Sequence, residues 1–343
     1  MWRIGDLNID GRVVLGPMSG FSSSGYRDFM KPFGVALSMT EMVSDMGVIH
    51  SIARTDGYVR FGPNHPTGLQ LFGSNPERLA QAAAKAVQYN PNIDLIDVNM
   101  GCPVAKVLRS GSGSLLMKDP VRCGEIVRAI KRSVDVPVTA KIRLGYDNLN
   151  INFRTVISEL EAAGVDAICV HPRTRTERYL GVPHYDMVQG LRSEMSVPLI
   201  ISGNIFSLDD AINALEITGA EGVMVARGGV GNPFLVTQID HYLRTGEALP
   251  NPTIAQQVDW CMQLADMIVE EKGEDAAFRK LRSFAPKFVA GCSRCRQYRL
   301  RLATETVDRD SLAAIMGEIR DRLSDERIRT QGCPLPIDAN HPM

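Results

Sequence analysis

Eight short runs rich in Val, Ile and Leu recur along the chain, at 13–20, 36–43, 67–73, 95–101, 137–144, 167–173, 198–204 and 222–227, each bounded by Gly, Pro or Asp. Segments with helix-start signals lie between them. Asn75-Pro76 opens 77–89, Asp119-Pro120 opens 120–132, and Ser207-Leu208-Asp209-Asp210 opens 208–217. In each, a capping side chain precedes the helix, twice with Pro in the first turn. Runs such as Pro198-Leu199-Ile200-Ile201 are apolar throughout, as expected of strands buried on both faces of a parallel sheet. An open doubly wound sheet usually has about five or six strands, so eight β-α units point to a closed (β/α)8 TIM barrel.

The chain has 343 residues and such a barrel needs about 250, which leaves room for a second unit. Gly246 to Thr253 reads as a linker, and 254–272 and 308–324 carry apolar residues at helical spacing. The expected division is a barrel over 1–245, a small C-terminal helical domain over 254–328 and a flexible, Pro-containing tail over 329–343. With 44% hydrophobic residues the chain can bury a core without disulfides or metal. Seven scattered cysteines suit reduced thiols. The N-terminus has no signal-like pattern and no run approaches the roughly eighteen apolar residues of a membrane span, so a cytoplasmic protein without a membrane partner is expected.

A net charge of −1 hides an uneven distribution. Residues 276–304 hold Arg279, Lys280, Arg282, Lys287, Arg294, Arg296, Arg299 and Arg301 without one Asp or Glu. This run reads either as a solvated helix face or as a surface for phosphates.

Catalytic groups of a barrel come from the C-terminal ends of its strands. Those ends carry Pro17-Met18-Ser19, Glu41, Gln70, Asn99 with Cys102, Lys141 with Arg143, His171 with Arg173, Ser202-Gly203-Asn204, and Ala226-Arg227 before a Gly-rich stretch. Polar groups at nearly every end imply a polar ligand. The last two loops have the composition of a phosphate site. Cys102, between Gly101 and Pro103, reads as an acid or nucleophile projecting into the mouth, whereas Cys123 and Cys169 read as small buried hydrophobes. Lys141 is either half of a structural ion pair or a ligand-facing cation, and His171 either a satisfied core residue or a ligand. Cys292 and Cys295 have CxxC spacing, which is half of a zinc site, so no metal is expected.

The run Asn99-Met100-Gly101-Cys102-Pro103, continued by Val104-Ala105-Lys106-Val107-Leu108 and Gly111-Ser112-Gly113-Ser114-Leu115-Leu116, resembles the tRNA-dihydrouridine synthases, particularly the bacterial B-type branch. The likeness extends through Pro17-Met18-Ser19-Gly20, Thr40-Glu41-Met42-Val43, Gln70-Leu71-Phe72-Gly73, Lys141-Ile142-Arg143 and His171 to Tyr179, over residues 1 to about 245. The resemblance implies that NADPH reduces bound FMN, that hydride passes to uracil C6 of an RNA, tRNA first among them, and that Cys102 protonates C5 as general acid. It carries FMN contacts onto Pro17, Met18, Ser19, Gln70, Lys141, His171, Ser202, Gly203, Asn204, Ala226 and Arg227. Asn99 would hold the uracil, with Arg173 and Arg175 near the RNA and Arg294, Arg296 and Arg299 on the basic helices binding it. No obligate protein partner is implied. The chain departs from the family at Ser202-Gly203-Asn204 for Asn-Gly-Asp, at Ala226 for Gly, at Pro172 for Gly, and at Leu281 for His, with Phe284 but no aromatic pair following. Two other readings compete. A flavin barrel reducing a small pyrimidine or enone, like dihydroorotate dehydrogenase, would need no basic helices, and a non-catalytic RNA-binding barrel would need no acid at position 102.

Overall fold

The computed structural model describes residues 1–52, 55–59, 61 and 65–329. The expected tail beyond 329, with Cys333, lies outside the described residues. The chain opens with an antiparallel hairpin of β1 (Trp2–Ile4) and β2 (Leu7–Ile9). Eight parallel strands follow: β3 (Val13–Leu15), β4 (Leu37–Met39), β6 (Thr67–Phe72), β7 (Leu95–Asn99), β8 (Val138–Gly145), β9 (Ala167–Thr174), β10 (Leu199–Ser202) and β11 (Gly222–Val225). Pairing of β11 with β3 and of β4 with β6 closes the ring, and the short β5 (Val43–Ser44) lies beside the end of β6. The expected TIM barrel is present, one strand per apolar run.

Several strands end before their runs do, because the last residues of those runs turn inward to build the mouth. After β3, the Ser22 hydroxyl accepts the Met18 N–H and donates to the Gly16 carbonyl, both at 2.9 Å, and so folds Gly16–Ser22 back on itself. The helix caps form as their sequence dictates. The Asn75 side chain accepts the Arg78 N–H at 2.8 Å, Asp119 accepts that of Arg122 at 3.0 Å, and Ser207 and Asp210 make a reciprocal capping box for Leu208–Thr218.

The barrel interior is layered. At its lower end Ile4 and Ile9 of the hairpin pack with Val14, Leu37, Leu95, Ile200 and Met224, so the hairpin plugs the ring. Two three-residue strands carry too little pattern for the sequence to announce this plug. Towards the other end the interior turns polar, and that end is the mouth.

Four helices, Ile254–Lys272, Glu274–Phe288, Cys295–Thr304 and Arg309–Leu323, follow the barrel and share its core. An aromatic seam joins them to the barrel: Phe284 lies 4.8 Å from Phe21 and 5.5 Å from Tyr26, Phe288 lies 6.4 Å from Phe29, and Trp260 lies 5.3 Å from Phe33. Gly231 backs onto the same helix so closely that a Cβ would sit 2.4 Å from the Lys287 carbonyl carbon. The Gln257 amide seals this junction by donating to the carbonyls of Gly231 at 2.8 Å and Phe288 at 2.9 Å. The Pro252–Ile254 passage is itself pinned: Ile254 N–H bonds the Glu326 carbonyl at 2.8 Å and Ile328 N–H the Pro252 carbonyl at 3.1 Å. No described helix is long and apolar enough to cross a membrane.

Phe284 is fully buried at the centre of the seam. Phe284→Ala should lower unfolding free energy by about 3–5 kcal/mol, the usual cost of emptying a buried aromatic site. Urea unfolding followed by far-UV circular dichroism and Trp fluorescence checks this; a loss below about 1 kcal/mol would mean that the seam repacks freely.

Candidate active site at the barrel mouth

The mouth is organised by a hydrogen-bonded chain that starts inside the barrel. Asp97 on β7 is 2% exposed. Its carboxylate accepts the Thr139 hydroxyl and the Gln70 amide, each at 2.7 Å. Gln70 in turn accepts from the Asn99 amide at 2.8 Å, and the Asn99 carbonyl oxygen accepts the backbone N–H groups of Gly101 at 3.2 Å and Cys102 at 2.9 Å. Burial pushes the Asp97 carboxyl up, against the lowering effects of Gln70, Thr139 and Lys141. Asn99, expected to hold substrate, commits most of its amide to this chain; its remaining donor capacity meets the Met42 sulfur at 3.7 Å.

The Cys102 loop is clamped from two further sides. Arg143, 2% exposed, donates to the Gly101 carbonyl at 2.7 Å and to the Thr174 and Arg178 carbonyls at 2.9 and 2.8 Å. Ser114 N–H and Oγ both donate to the Cys102 carbonyl, at 3.1 and 2.9 Å. Gly113 has φ +64, and a Cβ there would lie 2.8 Å from that carbonyl oxygen, so the strap at 111–114 requires glycine at this point. Cys102 itself is half-buried. Burial raises its thiol pKa more than the Val104 backbone, Arg143 and Lys141 lower it, so the group is a protonated thiol at neutral pH.

Lys141 on β8 reaches the same space, with Nζ 3.4 Å from the Ser202 hydroxyl. His171 on β9 is 8% exposed, and burial together with Arg143, Lys141, Arg173 and Arg227 pushes its pKa well down, so the imidazole is neutral. Arginine can only donate, so the 3.1 Å contact of Arg173 Nη1 with His171 Nε2 leaves the His171 proton on Nδ1. Beyond β10 and β11 the backbone turns tightly: Gly203 has φ +119, Asn204 φ +53, and a Cβ on Gly228 would fall 2.0 Å from the Ile205 carbonyl oxygen, so the two loops pack directly on each other. Arg227 lies 5.4 Å from the Phe206 ring and 5.1 Å from that of Tyr179. Met18 is buried, Pro17 half-buried and Ser19 exposed on the β3 loop.

The structure thus gathers at one end of the barrel the residues that the sequence singled out there, with one exception. Arg173, expected near RNA, is 0% exposed. It donates to the Leu180 carbonyl at 2.9 Å, to the Gly181 carbonyl and to Asn204 Oδ1 at 3.1 Å, and so ties two mouth loops together from behind. Arg175 is half-buried, 5.1 Å from the Tyr146 ring. Arg294, Arg296 and Arg299 are exposed on the C-terminal helices. Arg301 is not available in the same way, since Glu305 at 3.2 Å and Glu318 at 2.6 Å pair with it. Lys287 Nζ lies 5.3 Å from the ring of Phe21 on the loop after β3, and burial, Arg299 and Arg227 lower its pKa. Asp97 and Thr139 are the structural members that the sequence reading passed over; the signal was a carboxylate inside the buried run Leu95-Ile96-Asp97-Val98. Cys292 and Cys295 belong to no group of three or more His, Cys, Asp or Glu among the described residues that could hold a metal.

A family model described as "Dihydrouridine synthase (Dus)" matches residues 14–321. The probable tRNA-dihydrouridine synthase 1 of Synechocystis sp. is 36% identical over 285 residues, 82% of this chain and 79% of the relative. The tRNA-dihydrouridine synthase B of Pseudomonas aeruginosa is 34% identical over 298 residues, 87% of this chain and 89% of the relative. Among solved structures, histamine dehydrogenase from Rhizobium sp. 4-9 aligns with a TM-score of 0.52 at 16% identity over 78% of this chain. The chain spans 50% of that protein's length, and the likeness is one of fold.

Two features of Cys102 are open to measurement by iodoacetamide labelling with peptide mass spectrometry. Because its pKa is raised and the thiolate is the nucleophile, labelling should be slow at pH 7 and climb only above the ordinary thiol titration range. Asn99→Ala releases two backbone bonds of the loop and should speed labelling at fixed pH about fivefold, the equivalent of about 1 kcal/mol. Rapid labelling of the wild type at pH 7, or no change in the variant, would contradict this account.

Proposed function

The chain belongs to the dihydrouridine synthase family, and from that premise we propose that it reduces the C5–C6 double bond of uridines in tRNA to 5,6-dihydrouridine, with FMN as cofactor, NADPH as reductant and Cys102 as general acid. The observation that carries this reading is the Cys102 thiol clamped at the mouth by Asn99, at the same barrel end as Lys141, the buried His171 and the turns at Gly203 and Gly228. We assign residues 1–245 to catalysis in the cytoplasm and 254–328 to RNA binding.

The residues present fit FMN. The glycine-containing turns at Gly203 and Gly228, with Asn204, Ala226 and the Arg227 cation, suit a phosphate, since the loops after the last two barrel strands bring backbone N–H groups and a guanidinium to one place. We assign Pro17, Met18, Ser19, Gln70 and Ser202 to the ring, towards which Lys141 would supply positive charge and His171 an Nδ1–H donor. Bound there, FMN supplies the hydride chemistry that no side chain provides.

Cys102 then holds a proton for uracil C5, and burial keeps the thiol from ionising before it is needed. Asn99 fixes the thiol's height through the Cys102 N–H and keeps one weakly engaged amide hydrogen for the base. A uridine must leave its stack to reach this depth, at a cost of roughly a few kcal/mol. Arg294, Arg296 and Arg299, with Lys287 beside Phe21 of the β3 loop, offset that cost through phosphate contacts, and Arg175 contributes from the β9 side.

Cys102→Ala should leave NADPH-driven flavin reduction near normal and slow RNA-dependent reoxidation by roughly 10²- to 10⁴-fold. Since the acid form is required, the wild-type RNA step should hold steady from neutral pH upward and decline as pH rises through the elevated thiol pKa. Single-turnover mixing of reduced enzyme with unmodified tRNA tests both; wild-type reoxidation in the variant would remove Cys102 as the acid. Changing Arg294, Arg296 and Arg299 to Glu should weaken tRNA binding and flatten its salt dependence while NADPH oxidation persists. Unchanged affinity and salt slope in a filter-binding assay would reduce this run to a solvated face.

A further inference from the structure

Residues 175–184 leave the end of β9 and return to it, carrying Tyr179, Leu180 and Val182 at 36%, 44% and 77% exposure. Apolar side chains so open to solvent do not anchor a loop by burial, so its position is set by polar bonds: Arg173 holds the Leu180 and Gly181 carbonyls from behind, and further bonds close the base. There the His184 N–H bonds the Pro172 carbonyl at 2.7 Å. Glu177 bridges the two ends: one carboxylate oxygen accepts the Thr174 N–H at 2.6 Å and the Thr174 hydroxyl at 2.9 Å, and the other meets His184 Nε2 at 2.5 Å. Burial pushes the Glu177 carboxyl up, but the bonds from His184 and Thr174 outweigh it and hold it below its usual range.

The base of the loop also touches both halves of the mouth. Arg143, which clamps the Cys102 loop, donates to the Thr174 and Arg178 carbonyls, and Tyr185 next to His184 donates to the Gly203 carbonyl at 2.6 Å. The Tyr179 ring lies 5.3 Å from Arg143, 5.1 Å from Arg227 and 6.2 Å from the His171 ring.

We propose that Glu177 and His184 are a positioning pair, a clasp that keeps loop 175–184 closed as a fixed wall of the mouth and thereby sets the affinity for RNA. The role rests on the RNA-reducing function proposed above. Neither side chain touches the reacting atoms. Both are partly open to water, at 23% and 42% side-chain exposure, so the pair acts on local order more than on the barrel's stability.

The test uses full-length, flavin-loaded protein as wild type, Glu177→Ala, His184→Ala and Glu177→Gln, the last keeping the shape and an acceptor for Thr174. Trypsin cleavage after Arg175 or Arg178 reads the loop directly, without reference to the reaction. In both Ala variants cleavage should quicken about tenfold and KM for tRNA should rise about tenfold, as loss of a charge-assisted hydrogen bond implies. The turnover rate at saturating tRNA and the urea midpoint should stay at wild-type values, and Glu177→Gln should recover at least half of the change. Wild-type cleavage rates in the Ala variants overturn the clasp. So does a fall in the urea midpoint that tracks the rise in KM, or a loss in kcat in place of KM. Failure of the wild type itself to form dihydrouridine would overturn the proposed function instead, while the cleavage rates still decide the clasp.

Discussion

Asp97 lies in the middle of a barrel strand, where an uncompensated carboxylate would cost several kcal/mol. Its two hydrogen bonds offset that cost and fix the orientations of Thr139 and Gln70. Once Gln70 is fixed, only one rotation of the Asn99 amide satisfies both neighbours, and that rotation presents a carbonyl oxygen to the Cys102 loop. A buried carboxyl group inside the barrel therefore determines the height of a thiol at its rim. Buried networks of this kind favour a single arrangement, because any partly satisfied alternative is penalised in the low-dielectric interior.

The mouth and the basic helices are held in one frame by packing, not by flexible tethering. The aromatic seam and the Gly231–Lys287 approach place the helix Glu274–Phe288 against the loops after β3 and β11. Lys287, on that helix, sets its cation 5.3 Å from the Phe21 ring of the β3 loop and so adds positive charge where the helices meet the barrel. Charge placed this way favours a long polyanion over a small neutral substrate, which is the physical ground for preferring RNA over a free pyrimidine.

Much of this was legible in the sequence because strand runs, caps and linkers are local. Asn75, Asp119 and Ser207 cap their helices as their positions imply, and each apolar run holds one strand. Depth is not local. Arg173 and Arg175 look alike in sequence, two residues apart, yet the first is fully buried on β9 while the second emerges from the strand end. Pairing across long separations was equally hidden: nothing near Arg301 in the chain reveals Glu318, which enters from the next helix. The hairpin escaped because its strands are too short to show a period.

That hairpin carries a consequence for the order in which the molecule can be completed. Ile4 and Ile9 are made first, but their seat includes Ile200 on β10 and Met224 on β11, which are made last among the barrel strands. During synthesis the plug must wait, exposed, until nearly the whole ring exists, and the closing β11–β3 pairing joins the same two distant stretches of chain. The contacts that close and plug the ring thus unite the barrel's first and last segments, long-range contacts of the kind that slow folding.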